Sequence, residues 1–130
     1  MEALQKRVLI LDDEPVVGQS MAMVAEHLGA ESMCVMSPDL FFAAVDEWNP
    51  THVVIDLFMP DMAGATVIEQ LAHRSCRARI TISSGAGGRD LHEVRELAIK
   101  LGLNMAAVLP KPVRLAALRE FLSEHQEAVA

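Results

Sequence analysis

The sequence contains little of what several common classes of protein require. It has no tyrosine and one tryptophan, and aromatic residues make up 4% of its 130 residues, so few rings could stack on a flavin. Its two cysteines, Cys34 and Cys76, show no disulfide or metal-binding spacing, which favours a reduced, cytoplasmic location. The longest apolar runs, such as Met21 to Ala25, are far shorter than the roughly 18 residues of a membrane span.

Positive charge is also scarce. The chain has 11 Lys and Arg residues and 18 Asp and Glu residues, which gives a formal net charge of -7 at pH 7. Binding to nucleic acid or to an anionic membrane depends on Lys and Arg, so we expect neither partner. The first apolar run, Val8 to Leu11, stops at Asp12 and is too short for a signal peptide. The length is that of one domain with one core.

Short apolar runs alternate with amphipathic segments along the whole chain. The predicted strands are Val8–Leu11, Ser32–Met36, His52–Asp56, Arg79–Ser83 and Met105–Leu109. The predicted helices are Pro15–Leu28, Pro38–Trp48, Ala65–Arg74, Arg89–Leu101 and Val113–Glu124. Because parallel strands need crossover helices, this order predicts a flavodoxin-like α/β fold, a doubly wound five-stranded parallel sheet in the order 2-1-3-4-5. We expect residues 1–124 to form the domain and residues 125–130 a frayed tail.

The spacing of apolar residues predicts which helix faces point inward. In the first helix the expected core face is Val17, Met21, Val24 and Leu28, and in the fourth it includes Val94, Ala98 and Leu101. Histidines have no metal-ligand spacing, and those outside the fourth helix are expected at the surface or in turns; they are His27, His52, His73 and His125.

Acidic residues stand at the ends of two predicted strands. Asp12 and Asp13 follow the first strand, and Asp56 ends the third. In the strand order 2-1-3-4-5 these two strands are neighbours, and the reversal of order between them is where ligands bind in such folds. Three carboxylates this close repel one another unless a cation compensates. Oxygen ligands without cysteine or histidine favour a hard ion, so we predict a Mg²⁺ site.

A hydroxyl and an ammonium group follow the next two strands. Ser84 comes after the fourth strand, and Lys111 comes shortly after the fifth, so both should lie at the same edge of the sheet. Groups of this kind can bind the outer oxygens of a phosphoryl group. Asp56 would then be the nucleophile or acceptor. A loop cap for Ser84 and a counter-ion role for Lys111 are the simpler alternatives.

These motifs together resemble the receiver domain of two-component response regulators. They are Asp12-Asp13, Asp56 within Asp-Leu-Phe-Met-Pro-Asp-Met-Ala-Gly, Ser84 after Ile-Thr-Ile-Ser, and Lys111-Pro112. The resemblance covers essentially the whole chain. It implies a signalling switch in which Asp56 is phosphorylated by a histidine kinase or a phosphotransfer protein, with no enzymatic activity beyond its own phosphorylation and dephosphorylation.

The resemblance also implies a role for each remaining site residue. Mg²⁺ would be held by Asp13, Asp56 and the backbone carbonyl of Phe58, with Asp12 assisting through water. Ser84 and Lys111 would grip the phosphoryl oxygens. The region 84–111 would carry the signal to a downstream protein partner or to an effector domain removed from this chain, and a homodimer is a further option.

Two features depart from the family pattern. Val108 stands three positions before Lys111, where the family usually has an aromatic switch residue, and the segment from Gly85 to Met105 is about one helical turn longer than usual. The long fourth helix and the Val-Leu-Pro-Lys-Pro segment are similar to receivers linked to EAL-type phosphodiesterases. Phe58 and Ala86 are apolar at positions that influence water access in the family, which predicts slow self-dephosphorylation.

Three other functions fit the same topology less well. An aspartyl-phosphate hydrolase would need a second acid two residues after its nucleophile, where this chain has Phe58. A flavin-binding electron carrier would need aromatic rings that the chain lacks. A degenerate receiver that acts without phosphorylation is disfavoured by the intact acids and by Lys111.

Overall fold

The computed structural model describes residues 5–57, 63–84, 88–110 and 115–123. The strands are β1 (Arg7–Leu11), β2 (Glu31–Val35), β3 (His52–Asp56), β4 (Arg79–Ser84) and β5 (Met105–Pro110). The helices are α1 (Pro15–His27), α2 (Pro38–Trp48), α3 (Gly64–His73), α4 (Gly88–Lys100) and α5 (Leu115–Ser123). Every predicted element is present, with ends that differ by at most two residues. Residues 85–87 between β4 and α4, the Lys111-Pro112 pair and the predicted tail 125–130 lie outside the described residues.

All five strands form one parallel sheet in the order β2-β1-β3-β4-β5, as predicted. The adjacent strands β1 and β3 are apolar between their end residues, because helices cover both faces of the sheet. Residues Val8 to Leu11 of β1 and Val53 to Ile55 of β3 are at most 1% exposed. The edge strand β2 is only half-buried along most of its length. The apolar sequences of β1 and β3 and the less buried sequence of β2 therefore follow from the position of each strand in the sheet.

Two hydrophobic clusters lie on opposite faces of the sheet. The larger one packs α2, α3 and α4 against the sheet through residues that include Phe41, Ile68, Ala98, Leu9, Ile55 and Ile82. The smaller one packs α1 and α5 against the other face and includes Met21, Ala25, Leu118, Phe121, Ile10 and Val54. Alternate residues of β1 and β3 therefore serve different clusters, as the two-residue period of a strand requires.

Capping and proline residues mark the starts of α1 and α2. Ser37 is the N-cap of α2, where its side chain accepts a hydrogen bond of 3.3 Å from the backbone N–H of Leu40, and Pro38 takes the first turn. Pro15 occupies the first turn of α1. The longest helices, α1 and α4, each have 13 residues, and none in the described ranges is long and apolar enough to cross a membrane.

Two predicted core residues are wrong. Leu28 is 37% exposed and Leu101 is 41% exposed. Each follows the last residue of its helix, where the chain turns towards the next strand at a glycine with positive φ, Gly29 at 92° and Gly102 at 81°. The turn carries both leucines off the inward face. Gly18, which the apolar pattern ignores, is instead one of the buried residues of α1.

The prediction for His52 is also wrong, because this residue is 4% exposed. It begins β3, and its ring contacts Phe121 of α5 edge-on, with ring centroids 5.2 Å apart. Burial, followed by the charges of Lys6 and Arg79, lowers the pKa of His52 from 6.5 to about 4. His27 and His73 are exposed as predicted.

Candidate functional site

The carboxyl ends of β1 and β3 lie side by side. Leu11 of β1 is register-paired with Ile55 of β3, so the next residues, Asp12 and Asp56, leave the sheet at the same level. A hydrogen bond to the neighbouring strand also holds Asp12 in place. Its backbone N–H donates to the carbonyl of Val35, the last residue of β2, at 3.1 Å. The parallel register thus brings the predicted acids of two strands to one edge.

Asp12, Asp13 and Asp56 form one acidic cluster. A carboxylate oxygen of each lies within 4.8 Å of those of the other two. Asp12 is 0% exposed and Asp56 is 3% exposed, whereas Asp13 is half-buried. Oδ1 of Asp12 accepts a 2.9 Å hydrogen bond from the backbone N–H of Glu14, which orients this carboxylate at the start of α1. The cluster is therefore buried on the strand side and open through Asp13.

The donor set of this cluster fits a divalent oxygen-loving cation. Concentrating three carboxylates at a buried strand end is costly unless a positive charge compensates. Burial and then the negative charge of Asp12 raise the pKa of the Cys34 thiol, which disfavours the thiolate form that binds metals. Carboxylate oxygens alone match the preference of Mg²⁺, and three protein ligands leave positions for water and a substrate oxygen.

Ser83 of β4 stands directly beside Asp56 of β3. The two residues are register partners, and the carbonyl of Ser83 accepts a 3.0 Å hydrogen bond from the backbone N–H of Leu57. Ser83 is fully buried, and its Oγ has no hydrogen-bond partner among the described residues. The sequence motif points to the next residue, Ser84, instead. The signal that identifies Ser83 is the alternation of side chains along β4. Ile80 and Ile82 belong to the larger hydrophobic cluster, so Ser83 lies on the opposite face of the strand.

The other predicted site residues are described only in part. Ser84 is the last residue of β4, and its backbone pairs with Pro110 of β5. Val108 is half-buried in β5 and pairs with Ile82. Lys111 and Phe58, like Ala86, lie outside the described residues. Ser84 and Pro110 nevertheless place the ends of β4 and β5 on the same edge as the acidic cluster.

Comparison with known proteins agrees with this geometry. The sequence model of the response regulator receiver domain matches residues 8–123. The DNA-binding response regulator MtrA of Mycolicibacterium smegmatis is 28% identical over 71 residues, which are 55% of this chain and 31% of MtrA. The probable transcriptional regulatory protein TcrX of Mycobacterium tuberculosis is 33% identical over 64 residues, 49% of this chain and 27% of TcrX. Each match spans less than a third of the curated relative.

A similar fold is found in a CheY-like response regulator receiver domain from Methylobacillus flagellatus. Its solved structure superposes with a TM-score of 0.76 at 26% sequence identity, covering 92% of this chain and 97% of that one.

Proposed function

The chain belongs to the response regulator receiver domain family, and on that premise we propose that Asp56 accepts a phosphoryl group from a histidine kinase or a phosphotransfer protein. The observation that carries the proposal is the cluster of Asp12, Asp13 and Asp56, with Asp56 buried at the end of β3. The alternating elements hold this aspartate at the reversal of strand order, where ligands bind in such sheets.

The transfer uses the carboxylate of Asp56 as the nucleophile. One of its oxygens attacks the phosphorus of a phosphohistidine, so a P–O bond forms and the P–N bond breaks. The electron pair of the broken bond stays on the imidazole nitrogen, which takes up a proton from solvent as the donor histidine is released. The product is an acyl phosphate on Asp56, and no water is consumed until this bond is hydrolysed.

The acidic cluster would hold Mg²⁺ during this step. We assign direct coordination to Asp13, Asp56 and the carbonyl of Phe58, and contact through water to Asp12. When bound, the ion supplies positive charge that offsets the repulsion between the carboxylates and the incoming phosphoryl oxygens. Ser84 and Lys111 are proposed to bind those oxygens from β4 and from the segment after β5.

The output belongs to the same proposal. Phosphorylation at Asp56 would shift the equilibrium of the region 84–111, which starts at the last residue of β4 and includes α4 and β5. A downstream protein partner or an effector domain would respond to that shift. We take the receiver domain as residues 1–124 and the protein as cytoplasmic. The relative MtrA is named as DNA-binding, and that property belongs to MtrA, of which the match covers 31%.

Intact-mass measurement tests the proposal. Incubation with acetyl phosphate and Mg²⁺ should add one phosphoryl mass, and removing Mg²⁺ with a chelator should abolish the adduct. Asp56→Asn should remain unmodified, whereas the matched control Asp39→Asn, an exposed acid in the first turn of α2, should be modified like the wild type. A wild-type protein that gains no adduct with any phosphodonor would refute the proposal. Steady phosphate release from a generic phosphoester would favour a hydrolase instead.

A further inference from the structure

The hydroxyl of Ser83 is a buried polar group beside the proposed acceptor. Ser83 is 0% exposed, and its Oγ makes no hydrogen bond to any residue in the described part of the chain. Buried hydroxyls in folded proteins are nearly always paired, so this hydroxyl, which lacks a partner among the described residues, is available to an acceptor that arrives at the neighbouring carboxylate. The motif that identifies the family points to Ser84 and leaves Ser83 without a role.

The position of Ser83 follows from strand register. Ser83 and Asp56 are paired residues of neighbouring parallel strands, so their side chains leave the sheet on the same face, with backbones about 4.8 Å apart. Ile82, one residue earlier, belongs to the hydrophobic cluster on the opposite face. The hydroxyl therefore lies on the Asp56 side of β4, within reach of a group attached to the Asp56 carboxylate.

A second buried hydroxyl provides a comparison. Thr81 is also 0% exposed, and its Oγ1 likewise lacks a hydrogen-bond partner in the described ranges. Its register partner is Val54, two residues before Asp56, so this hydroxyl lies deeper under the sheet edge. Thr81 and Ser83 are both buried and lie on the same face of β4. They differ in their neighbour on β3, which is the apolar Val54 for Thr81 and the acidic Asp56 for Ser83.

We infer that Ser83 donates a hydrogen bond to the phosphoryl group on Asp56 and so stabilises the phosphorylated state. The inference rests on the proposed function, because only phosphorylation adds oxygen acceptors and a further negative charge at this point. The hydroxyl of Ser83 has no hydrogen-bond partner in the described ranges, so it breaks no such bond there when it turns towards the new anion. Hydrogen bonds to an ionised acceptor are shorter and stronger than those between neutral groups, so the bond favours the modified state selectively.

Titration with trifluoroberyllate and Mg²⁺ tests this role, because this anion coordinates to a carboxylate and mimics a phosphoryl group. The wild type, Ser83→Ala, Thr81→Val and Asp56→Asn are compared by calorimetric titration and by thermal unfolding. We expect Ser83→Ala to bind the anion about tenfold more weakly, as the loss of one charge-assisted hydrogen bond predicts. Thr81→Val should stay within about twofold of the wild type, and Asp56→Asn should not bind.

Thermal unfolding without the anion separates this role from a structural one. Ser83→Ala removes no hydrogen bond between described residues, so the melting temperature of this variant should equal or exceed that of the wild type. Equal anion affinity in the wild type and Ser83→Ala would overturn the inference while leaving the proposed function intact. Equal weakening in Thr81→Val and Ser83→Ala would also overturn it, since the effect would then come from general disturbance of β4. A wild-type protein that does not bind the anion would instead refute the proposed function, and the inference with it.

Discussion

Gly18 of α1 lies directly against Cys34 of β2. A Cβ atom at position 18 would overlap Sγ of Cys34, and it would also lie 3.8 Å from Cβ of Asp12. The missing side chain thus lets the first half of α1 approach the sheet next to the acidic cluster. Glycine costs helix stability at an interior position, and here that cost is offset by close packing.

Gly18→Ala should therefore destabilise the protein even though alanine is the better helix former. Overpacking typically costs about 1–3 kcal/mol, which exceeds the roughly 1 kcal/mol gained in helix propensity. In a Cys34→Ala background the obstructing sulfur is gone, so the same Gly18→Ala change should become neutral or stabilising. Urea unfolding of the four proteins in this cycle measures the coupling. Equal effects of Gly18→Ala in both backgrounds would show that Cys34 is not the obstacle.

Acidification should destabilise the protein through His52. Its Nδ1 pairs with Oγ1 of Thr51 at 2.8 Å, and burial, followed by the charges of Lys6 and Arg79, lowers its pKa from 6.5 to about 4. The fold therefore favours the neutral ring. The stabilisation that depends on a neutral ring is complete above the unfolded-state pKa of 6.5 and is lost as the pH falls from there to about 4, with a maximum near 3 kcal/mol.

Measuring the free energy of unfolding at several pH values from about 7.5 to about 4.5 checks the prediction for His52. This range covers most of the interval in which the ring gains its proton. His52→Gln should lose less stability across this range than the wild type. The exposed residue His73 provides the control, since His73→Gln should follow the wild-type curve. Parallel curves for the wild type and His52→Gln would contradict the prediction.

Ser75 adopts a left-handed backbone conformation with φ of 56° in the turn after α3. This conformation costs a non-glycine residue about 1–2 kcal/mol, part of which is offset by the lower freedom of serine in the unfolded chain. Ser75→Gly should therefore raise the free energy of unfolding by about 0.5–1 kcal/mol. The contrasting variant is Ser20→Gly inside α1, which should lower it by about 0.5 kcal/mol. A loss of stability in both variants would argue against strain at Ser75.

The sequence predicts the sheet well because its strongest signals are local. The apolar runs that end at Asp12 and Asp56 mark central strands, and the alternation with helices dictates parallel pairing, from which the acidic cluster follows. Contacts between distant segments were not predictable in the same way. His52 reads as a polar residue at a strand start, and the contact that its ring makes with Phe121 of the distant helix α5 is not visible in the local sequence.

The other features that the sequence did not predict concern glycine, serine and leucine positions. Gly18 carries no side chain for an apolar pattern to detect, so its burial depends on Cys34 from another element. The choice between Ser83 and Ser84 needs the register between β3 and β4, which no local pattern specifies. Leu28 and Leu101 continue the helical spacing past the point where the helices end.

The most direct test of the central claim is to locate the phosphoryl group chemically. An acyl phosphate on an aspartate is reduced by borohydride to homoserine, so protein treated with acetyl phosphate and Mg²⁺ can be reduced, digested and sequenced by tandem mass spectrometry. We predict homoserine at position 56, absent when Mg²⁺ is chelated. Homoserine at another aspartate, such as position 12 or 13, or at none, would contradict the assignment of Asp56 as the phosphoryl acceptor.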